Sequence, residues 1–370
     1  MVSNNHVLRG KMATGSVTIA AAGDIVIRNP LYENGKLLYP SYAKTLEYLS
    51  GGDMVWASCE VQFDETGYRT DAPIGYLVSP AVAADLGRAG FTLMTVATNH
   101  TCDYGPAAFL STLGHLRKVG ITPVGGGKDL AEAMQPVFFD VNGLKIAVLA
   151  VSCLVPADYA ATPERPGIAP LHVEQWTEFH PLMMMTEPGA PLKMRSRVKP
   201  DEQAALVAVI ARLRQQADFV LISVHWGYGR GDPLAEYQRP LAHAIIEAGA
   251  DMILGNHAHC PAGIEMHKGK PILYSLGNHI AQHEWEKATQ YQKEIFALID
   301  PWSLVAQFRI TERTVVAIEF MATSCDKDGI PGLITDATEA APVLNSFAML
   351  SKRMGAEVMV SGNKASLTLR

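Results

Sequence analysis

Leu254-Gly-Asn-His257-Ala-His259 closes the apolar run that begins at Asp251, and Ala97-Thr-Asn99-His100-Thr101 closes another that begins at Thr92. A third stretch, Leu221-Ile-Ser-Val-His225-Trp-Gly227, is built the same way. Each run reads as a buried strand, so its polar residues lie where the strand surfaces into a loop. Packing alone explains three such ends poorly. A neutral imidazole is the commonest metal ligand, and His-x-His on one loop can turn two rings toward a shared centre.

Composition frames this reading. The 370 residues are 48% hydrophobic and 18% charged, which suits a globular enzyme of one large or two smaller α/β domains. A net charge of −6 argues against nucleic acid as a partner. The five cysteines are scattered without a C-x-x-C pair, which points to reduced thiols. The N-terminus lacks an apolar leader and no run of about 18 apolar residues follows. The expectation is a soluble cytoplasmic protein with no membrane partner; its oligomeric state is open.

Along the chain, strands alternate with helices. Strands are expected at 17–22, 54–58, 92–97, 219–225, 251–255 and 271–275, and helices at 43–50, 80–90, 106–120, 200–216 and 234–248. Asn142-Gly143 marks a hairpin between 135–140 and 145–152, and a second hairpin joins 305–310 to 314–320. The pattern predicts a mixed α/β fold with more than one sheet. Residues 1–16 read as an extension, 17–325 as the main domain and 326–370 as a weakly patterned tail packed on it.

In open α/β sheets, functional groups collect beyond the carboxyl ends of strands. Here those ends carry Asp24, Glu60, Asn99-His100, His225, and His257 with His259. A lone strand-end Asp often caps a helix, and a lone His is usually structural. That explanation would have to hold for every one of these residues at matching ends. The mixed oxygen and nitrogen set suits two borderline divalent ions, Mn²⁺, Fe²⁺ or Zn²⁺, better than Ca²⁺ or Mg²⁺ alone.

The ordered blocks Gly23-Asp24, Asp53 to Glu60, Asn99-His100-Thr-Cys-Asp103-Tyr104-Gly105, His225-Trp226-Gly227, Gly255-Asn-His257-Ala-His259 and Gly277-Asn278 resemble the CapA family. That family is named for capsule and poly-γ-glutamate synthesis and belongs to the calcineurin-like metallophosphoesterase superfamily. The resemblance runs from about Val17 to Ile280. It implies a two-sheet β-sandwich flanked by helices, with a dinuclear metal site at one edge. Carried over by position, Asp24 and His259 hold one ion, Asn99, His225 and His257 the other, and Glu60 bridges. His100 becomes the general acid.

Departures accompany the match. Val26 stands where the wider superfamily has the histidine of Asp-x-His, which thins the first ion's ligand set. Ser58-Cys59-Glu60 replaces Asn-Leu-Glu, and Gly277-Asn278-His279 replaces Gly-Asn-Phe, bringing another imidazole near the site. His279 is a candidate substrate contact; His283 and Glu284 either face substrate or begin a solvated helix.

The segment 154–200 is too long for a plain connection and is rich in Pro, Met and basic residues. It reads as a lid-like insertion, with Arg165, Lys193, Arg195 and Arg197 as candidate anion contacts, joined by Arg28. Met183-Met-Met185 reads as adaptable packing beneath it. The expected function is metal-dependent hydrolysis of a small, anionic substrate or polymer fragment, at a phosphoester or amide-like bond, by hydroxide held between two ions. The competing expectation is a non-catalytic accessory protein of polymer synthesis.

Overall fold

The computed structural model describes residues 15–178, 181–187, 189, 191–229, 232–283, 285–297 and 299–369. Most of the expected N-terminal extension, Glu284, and the side chains of Met183 and Met184 lie outside the described residues.

The fold is mixed α/β with several sheets. A ten-stranded sheet is centred on Ser16–Val26, which pairs in parallel with Met54–Cys59, continues to Leu93–Thr95 and Thr122–Val124, and pairs on its other side with Trp302–Thr311. A six-stranded sheet runs Val137–Val141, Leu144–Ser152, Phe219–His225, Met252–Asn256, Lys270–Leu273 and Ile264–His267, with its middle four strands parallel.

Alternation along the smaller sheet stacks the layers. Ile146, Val148, Phe219, Leu221, Met252 and Leu254 join the same core as Ile19, Val55 and Phe308 of the larger sheet. Their neighbours Ala147, Leu149, Val220, Ile222 and Ile253 pack with Leu206, Ile210, Leu241 and Ile245 of the helices Pro200–Arg214 and Gln238–Glu247. A strand buried on both faces reads as continuously apolar, which is why these runs lack visible period-two polarity. Between the sheets, Trp56 Nε1 donates to Thr95 Oγ1 at 3.1 Å, and Thr95 Oγ1 donates to Ser223 Oγ at 2.8 Å. Buried hydroxyls so paired cost little, and they tie the two layers together directly behind the site.

Two weakly patterned stretches are regular in the structure. In the C-terminal stretch, Asp336 caps a helix, Ala337–Arg353, and the hairpin Met359–Ser361 and Lys364–Thr368 extends the edge of the larger sheet. Ala340, Val343, Leu344 and Phe347 follow helical spacing, but Pro342 inside the helix masks it in the sequence. Segment 154–200 is also more ordered than its composition implies. Gly167–Ile168 pairs with Gly126–Gly127, and Val173–Glu178 forms a hairpin with Lys193–Val198 that spans the short helix Pro181–Thr186. Among the described residues, no helix is long and apolar enough to cross a membrane.

Candidate metal centre

Both sheets turn the carboxyl ends of their parallel strands to one edge. The larger sheet delivers Asp24 within its central strand, Glu60 just after Met54–Cys59, and Asn99 beyond Leu93–Thr95. The smaller delivers His225 as the last residue of its strand, and His257 and His259 from the loop after Met252–Asn256. Gly23 lets this convergence happen: a Cβ there would sit 1.7 Å from the Gly277 carbonyl oxygen. Free of that collision, the Asp24 amide donates to Gly277 O at 3.0 Å, and Asp24 registers beside Asn278.

Asp24, Glu60 and His225 each offer a ligand atom within 4.8 Å of the others, and all three are buried. His257 lends its backbone amide to Asp24 Oδ2 at 3.0 Å, and its ring packs edge-on to His225 with centroids 4.8 Å apart. His259 Nδ1 lies 3.7 Å from Asp24 Oδ2. His257 and His259 hold φ of 91° and 55°, the left-handed region that bulky residues avoid. Such strain persists where surrounding structure enforces it, and it clusters at functional loops.

Unmet hydrogen-bonding capacity marks the centre. Among the described residues, Asp24 Oδ1, both oxygens of Glu60 and His257 Nδ1 are buried without a hydrogen-bond partner. His225 Nδ1 faces Asn256 Oδ1 at 2.9 Å, so a neutral ring donates there and leaves its Nε2 lone pair 2.7 Å from Asn99 Oδ1. Two acceptors at that distance either turn the amide to donate or share a cation. Ligand atoms about 2.0–2.2 Å from one ion are spaced on this scale. His259 Nδ1 likewise faces Asn278 Oδ1 at 2.9 Å, which frees its Nε2. Asn256 and Asn278 thus fix tautomers, the usual task of groups behind metal-bound imidazoles. The donor set fits divalent ions.

Electrostatics agree with the geometry. Burial, reinforced by Asp24, pushes the Glu60 carboxyl well above its ordinary range, and burial raises Asp24 against the pull of His259. Burial holds His225 and His257 well below ordinary histidine values and lowers His259, keeping the rings neutral as ligation requires. Ion uptake is therefore expected to expel protons from the carboxylate pair, and affinity climbs with pH above the ordinary carboxylate range. Calorimetry in buffers of different ionisation enthalpy measures this; uptake with no proton release would show that the pair is already ionised.

His100 stands at the rim. Its Nδ1 lies 2.9 Å from Asp103 Oδ2, and its side chain is 17% exposed. Tyr159, from segment 154–200, donates to the other Asp103 oxygen at 2.7 Å. Burial and Asp103 push the Tyr159 phenol up, so it stays a donor. The sequence alone assigns no role to Asp103, Tyr159, Asn256 or Asn278. His100-x-x-Asp103 was the one local clue, while the others act across the fold.

The expected substrate contacts separate in space. Arg28 is half-buried near Tyr76 and Tyr104 and lines a cleft of about 550 Å³. Arg165 is tied to Asp158 at 2.7 Å and to the Ala160 carbonyl at 3.2 Å, holding its own loop. Arg195 pairs with Glu178 and Glu236, Arg197 with Glu174, and Lys193 lies 3.9 Å from Glu178. This hairpin's positive charge, expected to draw an anion, is compensated locally. His279 is not at a substrate surface: its ring is fully buried, with Nε2 2.7 Å from Tyr42 Oη. The strand Asn278–Ala281 alternates its side chains, so Asn278 faces His259 and His279 turns into the core.

Comparison with known proteins places the chain. The family model described as "Bacterial capsule synthesis protein PGA_cap" matches residues 18–283. A Bacillus subtilis protein named PGA biosynthesis protein CapA is 30% identical over 53% of this chain and 44% of its own length. The capsule biosynthesis protein CapA of Bacillus anthracis is 27% identical over 66% of this chain and 53% of its own. A probable polyglutamine synthesis accessory protein of Mycobacterium tuberculosis is 30% identical over 57% and 51% respectively. The chain thus spans about half the length of these curated relatives. With the match extending from the central strand through every residue of the centre, the chain belongs to the PGA_cap family of bacterial capsule synthesis proteins, the CapA family.

Proposed function

We propose that this chain is a metal-dependent hydrolase on a calcineurin-like two-sheet scaffold, acting on a small anionic substrate or polymer fragment. The observation that carries this reading is the convergence of buried, unpartnered carboxylate oxygens and neutral imidazoles beside a carboxylate-backed histidine. Asp24 and His259 would hold one divalent ion, Asn99, His225 and His257 a second, with Glu60 between them; Mn²⁺, Fe²⁺ and Zn²⁺ suit the donors. Such a pair supplies a water acidified to near neutrality and positive charge against the negative charge that develops on the substrate.

The chain's own groups do the rest. Asp103 accepts from His100 Nδ1, which leaves Nε2 to carry the proton delivered to the leaving atom and steadies the ring while charged. Tyr159 holds Asp103 from behind. Names of relatives, PGA biosynthesis and polyglutamine synthesis, favour an amide bond in a carboxylate-bearing molecule; the scaffold favours a phosphoester.

The word accessory in the mycobacterial name supports a second reading, in which the centre binds ions without turnover. Assaying a nitrophenyl phosphodiester and a γ-glutamyl anilide separates the two. Turnover that chelator removes and Mn²⁺ or Zn²⁺ restores supports the hydrolase; full ion loading without turnover of either compound supports the accessory. Within the hydrolase reading, Asp103→Asn retains ions yet loses about 10²–10⁴-fold in kcat, because an amide can hold His100 in the wrong tautomer.

A further inference from the structure

Beside His100 stands a histidine that the proposed chemistry leaves idle. His283 places Nδ1 2.7 Å from Tyr76 Oη, and its ring stacks on Phe296 with centroids 4.6 Å apart. Tyr76 presents its ring edge-on to His100 at 5.7 Å between centroids. One tyrosine therefore separates two imidazoles. His283 also lies within electrostatic reach of His100, His259 and Arg28.

The hydrogen bond fixes what His283 offers. Tyr76 is buried, and its hydroxyl proton needs an acceptor. His283 Nδ1 is the acceptor in place, so the ring's own proton belongs on Nε2. That Nε2 is buried and meets no hydrogen-bond partner among the described residues. A buried N–H without an acceptor is a cost that a bound oxygen would relieve. Burial also lowers His283 to about 3, with the nearby His259, His100 and Arg28 acting in the same direction, so the ring is neutral.

Position supplies the acceptor's character. Arg28 lines both the cleft that passes Tyr76 and Tyr104 and a second, of about 790 Å³, that passes His283. An arginine and a neutral histidine lining one cleft suit an oxyanion, phosphoryl or carboxylate. The partner of each ring then sets its role. His100, backed by the Asp103 carboxylate, is equipped to move a proton; His283, backed by a phenol, is equipped only to donate a hydrogen bond.

We propose that His283, held by Tyr76, is a substrate-contacting residue whose Nε2–H donates to an anionic oxygen of the substrate, with Arg28 supplying positive charge on the same side. The role rests on the hydrolase reading, but its signature does not require turnover. Nitrogen NMR of histidine-labelled, zinc-loaded protein is expected to show His283 as the neutral Nε2–H tautomer from about pH 5 to 8. Its Nε2 resonance is expected to move on adding inorganic phosphate or glutarate, and the anion giving the larger shift identifies the oxyanion class. An Nδ1–H or doubly protonated ring, or an Nε2 signal unmoved by either anion, overturns the proposal even in an active protein. The same shifts in a protein without turnover uphold the contact and reject the hydrolase. Tyr76→Phe is expected to weaken the tautomer preference. With an anionic substrate, His283→Ala raises KM about tenfold at full ion content, and His283→Gln, which keeps an N–H donor, recovers part of it. An unchanged KM in a folded His283→Ala protein overturns the assignment.

Discussion

His100→Ala is expected to retain both ions and to lose about 10²–10⁴-fold in kcat, the usual worth of a positioned acid. Its imidazole bonds Asp103 through Nδ1 and stands at the rim, whereas the buried candidate ligands cluster around Asp24, Glu60 and His225. The deficit should shrink for a nitrophenolate leaving group, which departs without a proton. Elemental analysis and a leaving-group series together read this result. Loss of an ion in His100→Ala would make the residue a ligand and send the search for the acid elsewhere.

Glu60→Gln separates affinity from stability. Removing the central carboxylate should weaken ion binding beyond the roughly 10–100-fold loss typical of groups that merely support ligands. The ion-free variant should nevertheless melt higher than ion-free wild type at neutral pH. Burial and Asp24 raise the Glu60 carboxyl above its ordinary value of 4.5, so the native state binds more protons than the unfolded one. Stability from this group therefore falls as pH rises past 4.5 toward the raised value. Glutamine abolishes that loss, so the advantage should grow with pH from the carboxylate range upward and vanish in acid. Melting curves on chelated protein across pH check the sign; an ion-free variant less stable than wild type at neutral pH contradicts it.

Much of this is legible in the sequence. Apolar runs ending in Asp, Glu, Asn and His marked both parallel sets, and Phe219–His225 has the bounds expected of it. A strand buried on both faces carries its own signal, and a histidine at its end breaks the pattern visibly. What escaped was mostly relational. Asn256 and Asn278 sit in the motifs, but only packing shows them turned toward His225 and His259. Tyr159 lies 56 residues from Asp103, inside a segment whose composition offered basic residues as the obvious suspects. Arg195 and Arg197 looked like anion contacts because their partners Glu178, Glu236 and Glu174 meet them only once the hairpin forms. His279 misled for a simpler reason: alternation along a four-residue strand decides which neighbour faces the site, and no local cue gave its phase.

The centre draws on both sheets, and this bears on how the protein is made. The His257 amide reaches Asp24 across 233 positions of sequence, and His225 reaches Asn99 across 126. Contacts so remote in the chain form slowly, since the loops between them must close first. A nascent or truncated polypeptide lacking either layer would own scattered histidines and carboxylates but no high-affinity cage. On the proposed reading, ion capture would belong to the last stage of maturation, after the layers dock. An interaction absent from the folding transition state leaves the folding rate alone and slows unfolding. The ion's contribution to the protein's lifetime would thus be kinetic, a lock fitted once assembly is complete.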